Sequence, residues 1–165
     1  MSVKLSIARF LYWLKRRHED PIELFKELGI ERDDLILEIG CATGFYTEAL
    51  SDIAQDGKVY AVDISEEFIK YLKKKDRKND NVAPICDSAD DVVLKENSID
   101  KIVCFNTLHE IPDIQRGFDI WLSALKDGGE FIYRDPEIGP EKIPELSKGR
   151  LSKVREEGDI TIFQF

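Results

Sequence analysis

Apolar and polar positions repeat with two different periods along this chain, and the change of period divides it into elements. Short apolar runs, typical of strands covered on both faces, occur at residues 35–39, 58–62, 82–86, 99–105 and 130–134. Between these runs, apolar residues recur every three or four positions, as in amphipathic helices. Because strands and helices alternate, the sequence predicts a mostly parallel sheet flanked by helices.

The C-terminal part of the chain follows a different pattern. Residues 150–155 and 160–165 alternate apolar and polar side chains around a turn at 156–159, which is typical of an antiparallel hairpin. Together with the five earlier strands, the hairpin predicts an α/β, doubly wound, mostly parallel seven-stranded sheet. The 165 residues suit one domain, in which we expect a core at 35–165 and an N-terminal helical cover at 1–29.

The predicted cover begins with a basic amphipathic helix at residues 2–18. Such a helix can bind membranes or acidic partners, or it can pack its apolar face on the domain over a ligand site. Its Tyr12, Trp13 and His18 could contact a substrate or only pack. A second basic run, residues 73–78, could bind nucleic acid, or it could be a solvated helix end that complements the helix dipole.

Charge and cysteine content narrow the classes of function. The net charge of -9 argues against a nucleic-acid partner, whose binding depends on neutralising phosphates. No apolar run is long enough for a transmembrane helix, and no signal peptide is evident. Cys41, Cys86 and Cys104 lack metal-ligand spacing, and each lies in or beside a predicted buried strand, where a free cysteine packs as a small apolar residue. We therefore expect a reduced, cytoplasmic protein without a metal site.

The first strand, the turn after it and the second strand carry the candidate chemistry. Gly40, Ala42 and Gly44 lie in a tight turn between a strand and a helix, where a ligand can approach the backbone. Asp63 ends the second strand, where a carboxylate can accept both hydroxyls of a ribose. A dinucleotide-dependent oxidoreductase would need a third glycine at the position of Phe45, so that class is disfavoured.

The motifs that follow, taken in order, resemble those of class I S-adenosylmethionine-dependent methyltransferases from about residue 20 onward. They lie at residues 38–44 (EIGCATG), 59–63 (VYAVD), 87–89 (DSA), 100–109 (DKIVCFNTLH) and 125–132 (LKDGGEFI). The last part of the fourth motif is most similar to the small-molecule branch, which includes ubiquinone- and menaquinone-biosynthesis methyltransferases. The resemblance implies a Rossmann-like fold with S-adenosyl-L-methionine as the cofactor.

The resemblance also implies which residues bind this cofactor. They are Glu38, Gly40, Cys41, Ala42, Gly44, Asp63, Ile64, Asp87, Ser88, Asn106 and Leu108. Asp63 would accept the ribose hydroxyls and Ile64 would pack on the adenine. Asp87 would accept the adenine amino group, although it could instead cap a helix after the third strand. Glu38 could contact the cofactor or brace the loop, whereas Asn106 and Leu108 would line the cleft towards the substrate.

One position departs from the family pattern, because Ala42 stands where the family has its central glycine. An alanine there permits close backbone approach if φ is ordinary, but not if φ is positive. We therefore expect cofactor binding to persist unless the loop needs a left-handed residue at that position.

Methyl transfer from a sulfonium is an in-line displacement, so the protein mainly has to align donor and acceptor. A general base is needed only if the acceptor loses a proton, and His109 is the candidate for that role or for a substrate contact. His109 could also be a packed or helix-capping residue. The predicted function is methyl transfer to a small-molecule acceptor. The alternatives are an RNA or protein acceptor, or a non-catalytic protein of the same fold that binds the cofactor.

Overall fold

The computed structural model describes residues 19–75 and 80–165, and these residues form one seven-stranded sheet with flanking helices. The strands are β1 (Leu35–Ile39), β2 (Lys58–Asp63), β3 (Val82–Cys86), β4 (Ile99–Phe105), β5 (Leu125–Arg134), β6 (Ser152–Glu157) and β7 (Ile160–Gln164). The α-helices are α1 (Pro21–Glu27), α2 (Phe45–Ile53), α3 (Glu66–Lys75), α4 (Ile114–Ala124) and α5 (Ile143–Leu146), and 3-10 turns occur at Leu108–Glu110 and Pro140–Lys142.

The strands are arranged in the order β3-β2-β1-β4-β5-β7-β6. Strands β1 to β5 are mutually parallel, and β7 runs antiparallel to both β5 and β6. The predicted fold, a mostly parallel sheet closed by a C-terminal hairpin, is confirmed. Because the chain order reverses between β1 and β4, their carboxyl ends flank the crevice in which ligands bind in doubly wound sheets.

Successive residues of the central strands enter two different cores, one on each face of the sheet. On one face, Leu37 and Ile102 pack with Trp121 of α4. On the other face, Ile36 and Val103 belong to the cluster that contains α1 and α2. This alternation explains why the central strands read as continuous apolar runs, since both of their faces are covered.

Two strand boundaries differ from the sequence prediction. Strand β5 begins at Leu125, directly after α4, with a register irregularity opposite Ile99, instead of starting at Glu130. This early segment is paired because the amide of Gly128 donates to the carbonyl of Phe165. Strand β6 extends to Glu157, so the hairpin turn is shorter than predicted.

The predicted N-terminal helix at residues 2–18 lies outside the described residues, as do the last three residues of the basic run at 73–78. Within the described ranges, no helix combines the length and the apolar character that crossing a membrane requires.

Of the three cysteines, Cys41 and Cys104 are buried as expected, whereas Cys86 is exposed, so the expectation that it packs as a core residue is wrong. Cys86 is exposed because it is the last residue of the edge strand β3.

Candidate functional site

A cavity of about 540 Å³ lies along the carboxyl edge of β3, β2, β1 and β4. The predicted cofactor-binding residues on its wall are Gly40, Cys41, Ala42, Asp63, Ile64, Asp87, Ser88 and Asn106. These residues come from four separate segments of the chain. The strand order brings them together, because each segment follows the end of a neighbouring parallel strand.

The loop after β1 is held in a left-handed conformation at three alternate positions. The φ angles of Gly40, Ala42 and Gly44 are 76°, 46° and 80°. A Cβ atom on Gly40 would lie 2.1 Å from Oγ1 of Thr107, so glycine is required there by packing as well as by φ. Ala42 therefore adopts the positive φ at which its methyl group is unfavourable, and the loop does need a left-handed residue there.

The carboxylate of Asp63 fastens this loop to the end of β2. Its Oδ2 accepts a hydrogen bond from the amide of Ala42 at 2.8 Å, and its Oδ1 accepts one from the amide of Ser65 at 2.8 Å. Each carboxylate oxygen has a second lone pair, so both can still accept a ribose hydroxyl. Burial raises the pKa of the Asp63 carboxyl above its ordinary value, and the two amide hydrogen bonds oppose that rise.

Asp87 and Ser88 line the cavity beside Asp63, after the end of β3. The amide of Asp87 donates to the carbonyl of Asp63 at 3.2 Å, and the Oδ1 of Asp87 accepts from the amide of Ser88 at 2.9 Å. The interpretation of Asp87 as a helix cap is wrong, because residues 87–98 form turns and no helix follows β3. The side chain of Asp87 is thereby left on the cavity wall.

Three of the predicted cofactor-binding residues do not line the cavity. Glu38 is only 3% exposed, and its Oε2 accepts a hydrogen bond from Oγ1 of Thr47 at 2.6 Å, which favours the bracing interpretation. Leu108 is completely buried in the core, so it supports the cleft from behind and does not form its wall. Gly44 is the N-cap residue that precedes α2, and a Cβ atom there would lie 2.4 Å from Cδ1 of Leu72.

At the end of β4, Asn106 is exposed on the cavity wall with a φ of 54°. Its amide donates to the carbonyl of Arg134 at the end of β5, at 2.7 Å. The hydrogen bond continues the β4–β5 pairing by one residue, although the backbone of Asn106 has left the extended region. Asn106 and Ala42 thus provide two non-glycine residues with positive φ on one cavity wall, and such strain clusters at functional sites.

His109 lies beside the cavity in a hydrogen-bonded pair with Asp135. Its Nδ1 is 2.9 Å from Oδ2 of Asp135, whose side chain is fully buried. The hydrogen bond to Asp135 raises the pKa of the His109 imidazole. Burial pushes the pKa of Asp135 upwards, but hydrogen bonds from His109, Glu137 and Ile138 outweigh burial and hold that pKa below its ordinary value. Nδ1 is therefore the protonated nitrogen, and Nε2 lies 4.0 Å and 3.9 Å from carboxylate oxygens of Glu110 and Glu137.

Sequence reasoning missed several residues of this edge of the sheet. Tyr46, Phe105 and Glu110 line the cavity, and Asp135 holds His109. The rule that ligand-binding residues follow the carboxyl ends of parallel strands could have indicated Phe105 and Asp135. Tyr46 has no comparable signal, because its position in the first turn of α2 is equally consistent with core packing.

The sequence matches a known protein family and known relatives. Residues 37–133 match the model of a family described as a methyltransferase domain. Demethylmenaquinone methyltransferases of Staphylococcus aureus are 27% identical over 129 residues, which cover 78% of this chain and 51% of those proteins. The chain thus spans about half the length of the curated relatives it matches.

Solved structures share the fold at low sequence identity. A SAM-dependent methyltransferase from Aquifex aeolicus superposes with a TM-score of 0.73 at 24% identity, over 88% of each chain. The PH0226 protein of Pyrococcus horikoshii gives a TM-score of 0.73 at 18% identity, over 91% of this chain and 90% of the other. The N-methyltransferase NodS of Bradyrhizobium japonicum, in complex with S-adenosyl-L-homocysteine, gives 0.68 at 18% identity over 90% of each chain.

The sequence motifs, the strand order and the family match agree with one another. The chain belongs to the methyltransferase-domain family, and it shares its fold with S-adenosylmethionine-dependent methyltransferases of known structure.

Proposed function

We propose that this protein transfers the methyl group of S-adenosylmethionine to a small-molecule acceptor. The observation that carries the proposal is the cavity at the carboxyl edge of the sheet, where Asp63 and Asp87 follow two neighbouring strands beside a left-handed loop. Carboxylates in this arrangement suit a ribose and an adenine amino group. The cofactor, when bound, supplies an electrophilic methyl group on a positively charged sulfur.

Each of these residues has a distinct proposed role. Asp63 accepts the ribose hydroxyls while its hydrogen bond to Ala42 keeps the loop in place. Asp87 accepts from the adenine amino group, and the exposed side chain of Ile64 packs on the adenine ring. Gly40, which has no side chain, lets the backbone approach the amino-acid part of the cofactor. Because the leaving group is already good, this alignment accounts for most of the expected rate enhancement.

We assign His109 the role of general base for an acceptor that must lose a proton. Asp135 accepts the hydrogen bond from Nδ1, so Nε2 is the nitrogen that could take up a proton. Because the pKa of His109 is raised, its base form becomes abundant only at a correspondingly higher pH. The carboxylates of Glu110 and Glu137 flank Nε2, so this role requires the acceptor to approach Nε2 between them.

A small acceptor is favoured by the relatives and by the charge of the chain. The Staphylococcus aureus relatives are named as acting on demethylmenaquinone, and the sequence motifs resemble the same branch of the family. The net charge of -9 disfavours RNA as the acceptor.

We also expect a cytoplasmic location, and the N-terminal cover at residues 1–29 remains a prediction. The specific alternative is a non-catalytic protein that binds the cofactor, and the strained Ala42 favours it.

Transfer of a labelled methyl group separates these functions. The purified chain is incubated with methyl-tritiated S-adenosylmethionine and with matched small-molecule, RNA and protein fractions of a cell extract. We expect label in the small-molecule fraction, no transfer by Asp63→Ala, and normal transfer by Asp56→Ala, which alters an exposed aspartate just before the start of β2. Label found only in RNA or protein would contradict the proposed acceptor class, and cofactor binding without any transfer would support the non-catalytic alternative.

A further inference from the structure

The cavity at the carboxyl edge of the sheet carries negative charge that its own wall does not balance. Asp63, Asp87 and Glu110 all line it, and within the described ranges no lysine or arginine does so. Carboxylates gathered in one cleft create a negative potential that attracts cations and repels anions. We therefore expect the compensating positive charge to arrive with the ligand.

Two of the three carboxylates have structural partners and roles that do not depend on the charge of the ligand. Asp63 accepts hydrogen bonds from the amides of Ala42 and Ser65. Asp87 accepts one from the amide of Ser88. The proposed function assigns them to the ribose and the adenine, which are neutral and identical in the methyl donor and in its product. Neither role distinguishes S-adenosylmethionine from S-adenosylhomocysteine.

The third carboxylate, that of Glu110, has no such partner. Glu110 ends the 3-10 turn that follows β4, and its side chain is 74% exposed. Within the described part of the chain its carboxylate accepts no hydrogen bond, and the only basic group within 4.0 Å is Nε2 of His109. Above its raised pKa, the His109 imidazole is neutral and does not balance this charge. The charge of Glu110 can therefore act on a ligand in the cavity.

The electrostatic field of Glu110 reaches the cofactor-binding residues. Burial is the largest cause of the raised pKa of Asp63, and the charge of Glu110 adds to it. A ligand that is held by Asp63 therefore experiences the charge of Glu110 as well. The methyl donor is a sulfonium cation at its sulfur, whereas the product is a neutral thioether. Their ammonium and carboxylate groups are the same, so the two ligands differ by one methyl group and one positive charge.

We propose that Glu110 makes the cavity selective for the cationic methyl donor over its neutral product, so that transfer of the methyl group weakens binding and promotes product release. The inference rests on the proposed function, since it requires S-adenosylmethionine in this cavity. It adds a specificity-determining residue outside the predicted set and predicts weak inhibition by the product. A unit charge about 7 Å away changes the affinity for a cation about threefold in water, and more in a partly buried cleft.

Calorimetric titration of the full chain with three ligands tests this selectivity. The ligands are S-adenosylmethionine, S-adenosylhomocysteine and sinefungin, in which a carbon bearing an ammonium group replaces the methylated sulfur and restores the positive charge. At low salt we expect the two cationic ligands to bind about fivefold to tenfold more tightly than S-adenosylhomocysteine. At about 0.5 M NaCl this preference should fall to about twofold, because salt screens exposed charges.

Three variants test the residue itself. Glu110→Gln removes the charge, and it should weaken S-adenosylmethionine binding about threefold while S-adenosylhomocysteine binding stays within about 1.5-fold of the native value. Glu110→Asp keeps the charge and should retain most of the preference. Glu137→Gln is the matched control, because its carboxylate lies 3.9 Å from the same Nε2 of His109 and its side chain is 69% exposed, but it does not line the cavity. It should bind both ligands with native affinity.

The outcomes distinguish the two levels of the argument. If the native chain binds the product as tightly as the donor, or if Glu110→Gln weakens both ligands equally, the selectivity is refuted while the proposed function stands. If sinefungin binds only as weakly as S-adenosylhomocysteine, the site recognises the methyl group and not the charge, which also refutes it. A Glu137→Gln variant that behaves like Glu110→Gln would mean that the charge acts through His109. If the native chain binds none of the three ligands, the proposed function fails and this inference fails with it.

Discussion

Replacing Ala42 by glycine should stabilise the protein while hardly changing its affinity for the cofactor. Ala42 has a φ of 46° in the loop after β1, and its amide already donates to Asp63. The loop thus has the conformation that a glycine would favour, although the residue is an alanine. Glycine should relieve strain in the folded chain, whether or not a ligand is present.

The magnitude follows from two opposing effects. A left-handed conformation destabilises the folded chain by about 1–2 kcal/mol at an L-residue, and a glycine removes this cost. The glycine also increases the conformational freedom of the unfolded chain, which lowers the free energy of unfolding by about 0.5–1 kcal/mol. The net gain in the free energy of unfolding is therefore about 0.5–1 kcal/mol, or an increase in Tm of about 1–4 °C for a domain of this size.

The assay combines urea denaturation with calorimetric titration of S-adenosylhomocysteine. We expect Ala42→Gly to shift the denaturation midpoint upwards and to keep the dissociation constant within about threefold. Asn97→Gly is the matched control, because Asn97 has a φ of 48° just before β4, at the opposite edge of the sheet. Asparagine tolerates this conformation, so the control should gain less stability and leave ligand binding unchanged.

Two results would refute this reasoning. A variant that is no more stable than the native chain would mean that Ala42 is not strained. A gain in affinity above tenfold without a gain in stability would mean that the methyl group itself obstructs the cofactor, as the sequence alone left open.

Three further predictions concern the loop and the titrating groups. Gly40→Ala should lower the free energy of unfolding by about 2–4 kcal/mol in urea denaturation, because residue 40 has a φ of 76° and an added Cβ would clash with Thr107. Its control, Gly128→Ala, should cost only about 1 kcal/mol, because Gly128 has a φ of 77° but open space around it. Affinity for S-adenosylhomocysteine should fall on acidification, with a midpoint above the ordinary aspartate pKa, because burial raises the pKa of Asp63. Asp63→Asn should abolish this pH dependence. If the pH dependence persists in that variant, Asp63 is not its cause. The pairing of His109 with Asp135 raises the histidine pKa, so its stabilisation is complete below about pH 6.5 and is lost as pH rises through the raised pKa. The free energy of unfolding of His109→Gln, measured by denaturation across this pH range, should not show that loss of stability. A pH profile equal to that of the native chain would contradict the pairing.

The sequence predicts those parts of the site whose signals are local. The loop at Gly40–Gly44, Asp63 and Asp87 each follow an apolar strand, so their place at the sheet edge could be inferred from short segments. The family resemblance added their proposed roles. The left-handed φ of Ala42 could not be predicted, because alanine rarely adopts it and the motif alone allowed both conformations.

The parts that could not be predicted depend on contacts between distant segments. Tyr46 and Arg134 meet only because β5 lies beside β4 and α2 begins above that edge. His109 and Asp135 meet for the same reason, across the ends of β4 and β5. The order of strands, which the apolar pattern does not contain, decides both contacts.

The central claim is that the carboxyl edge of the sheet binds S-adenosylmethionine through Asp63. Calorimetric titration of S-adenosylmethionine into the native chain, Asp63→Ala and the control Asp56→Ala tests it most directly. We predict one binding site per native chain, at least tenfold weaker binding by Asp63→Ala through the loss of charged hydrogen bonds, and native affinity for Asp56→Ala. No binding by the native chain, or equal binding by Asp63→Ala, would contradict the claim.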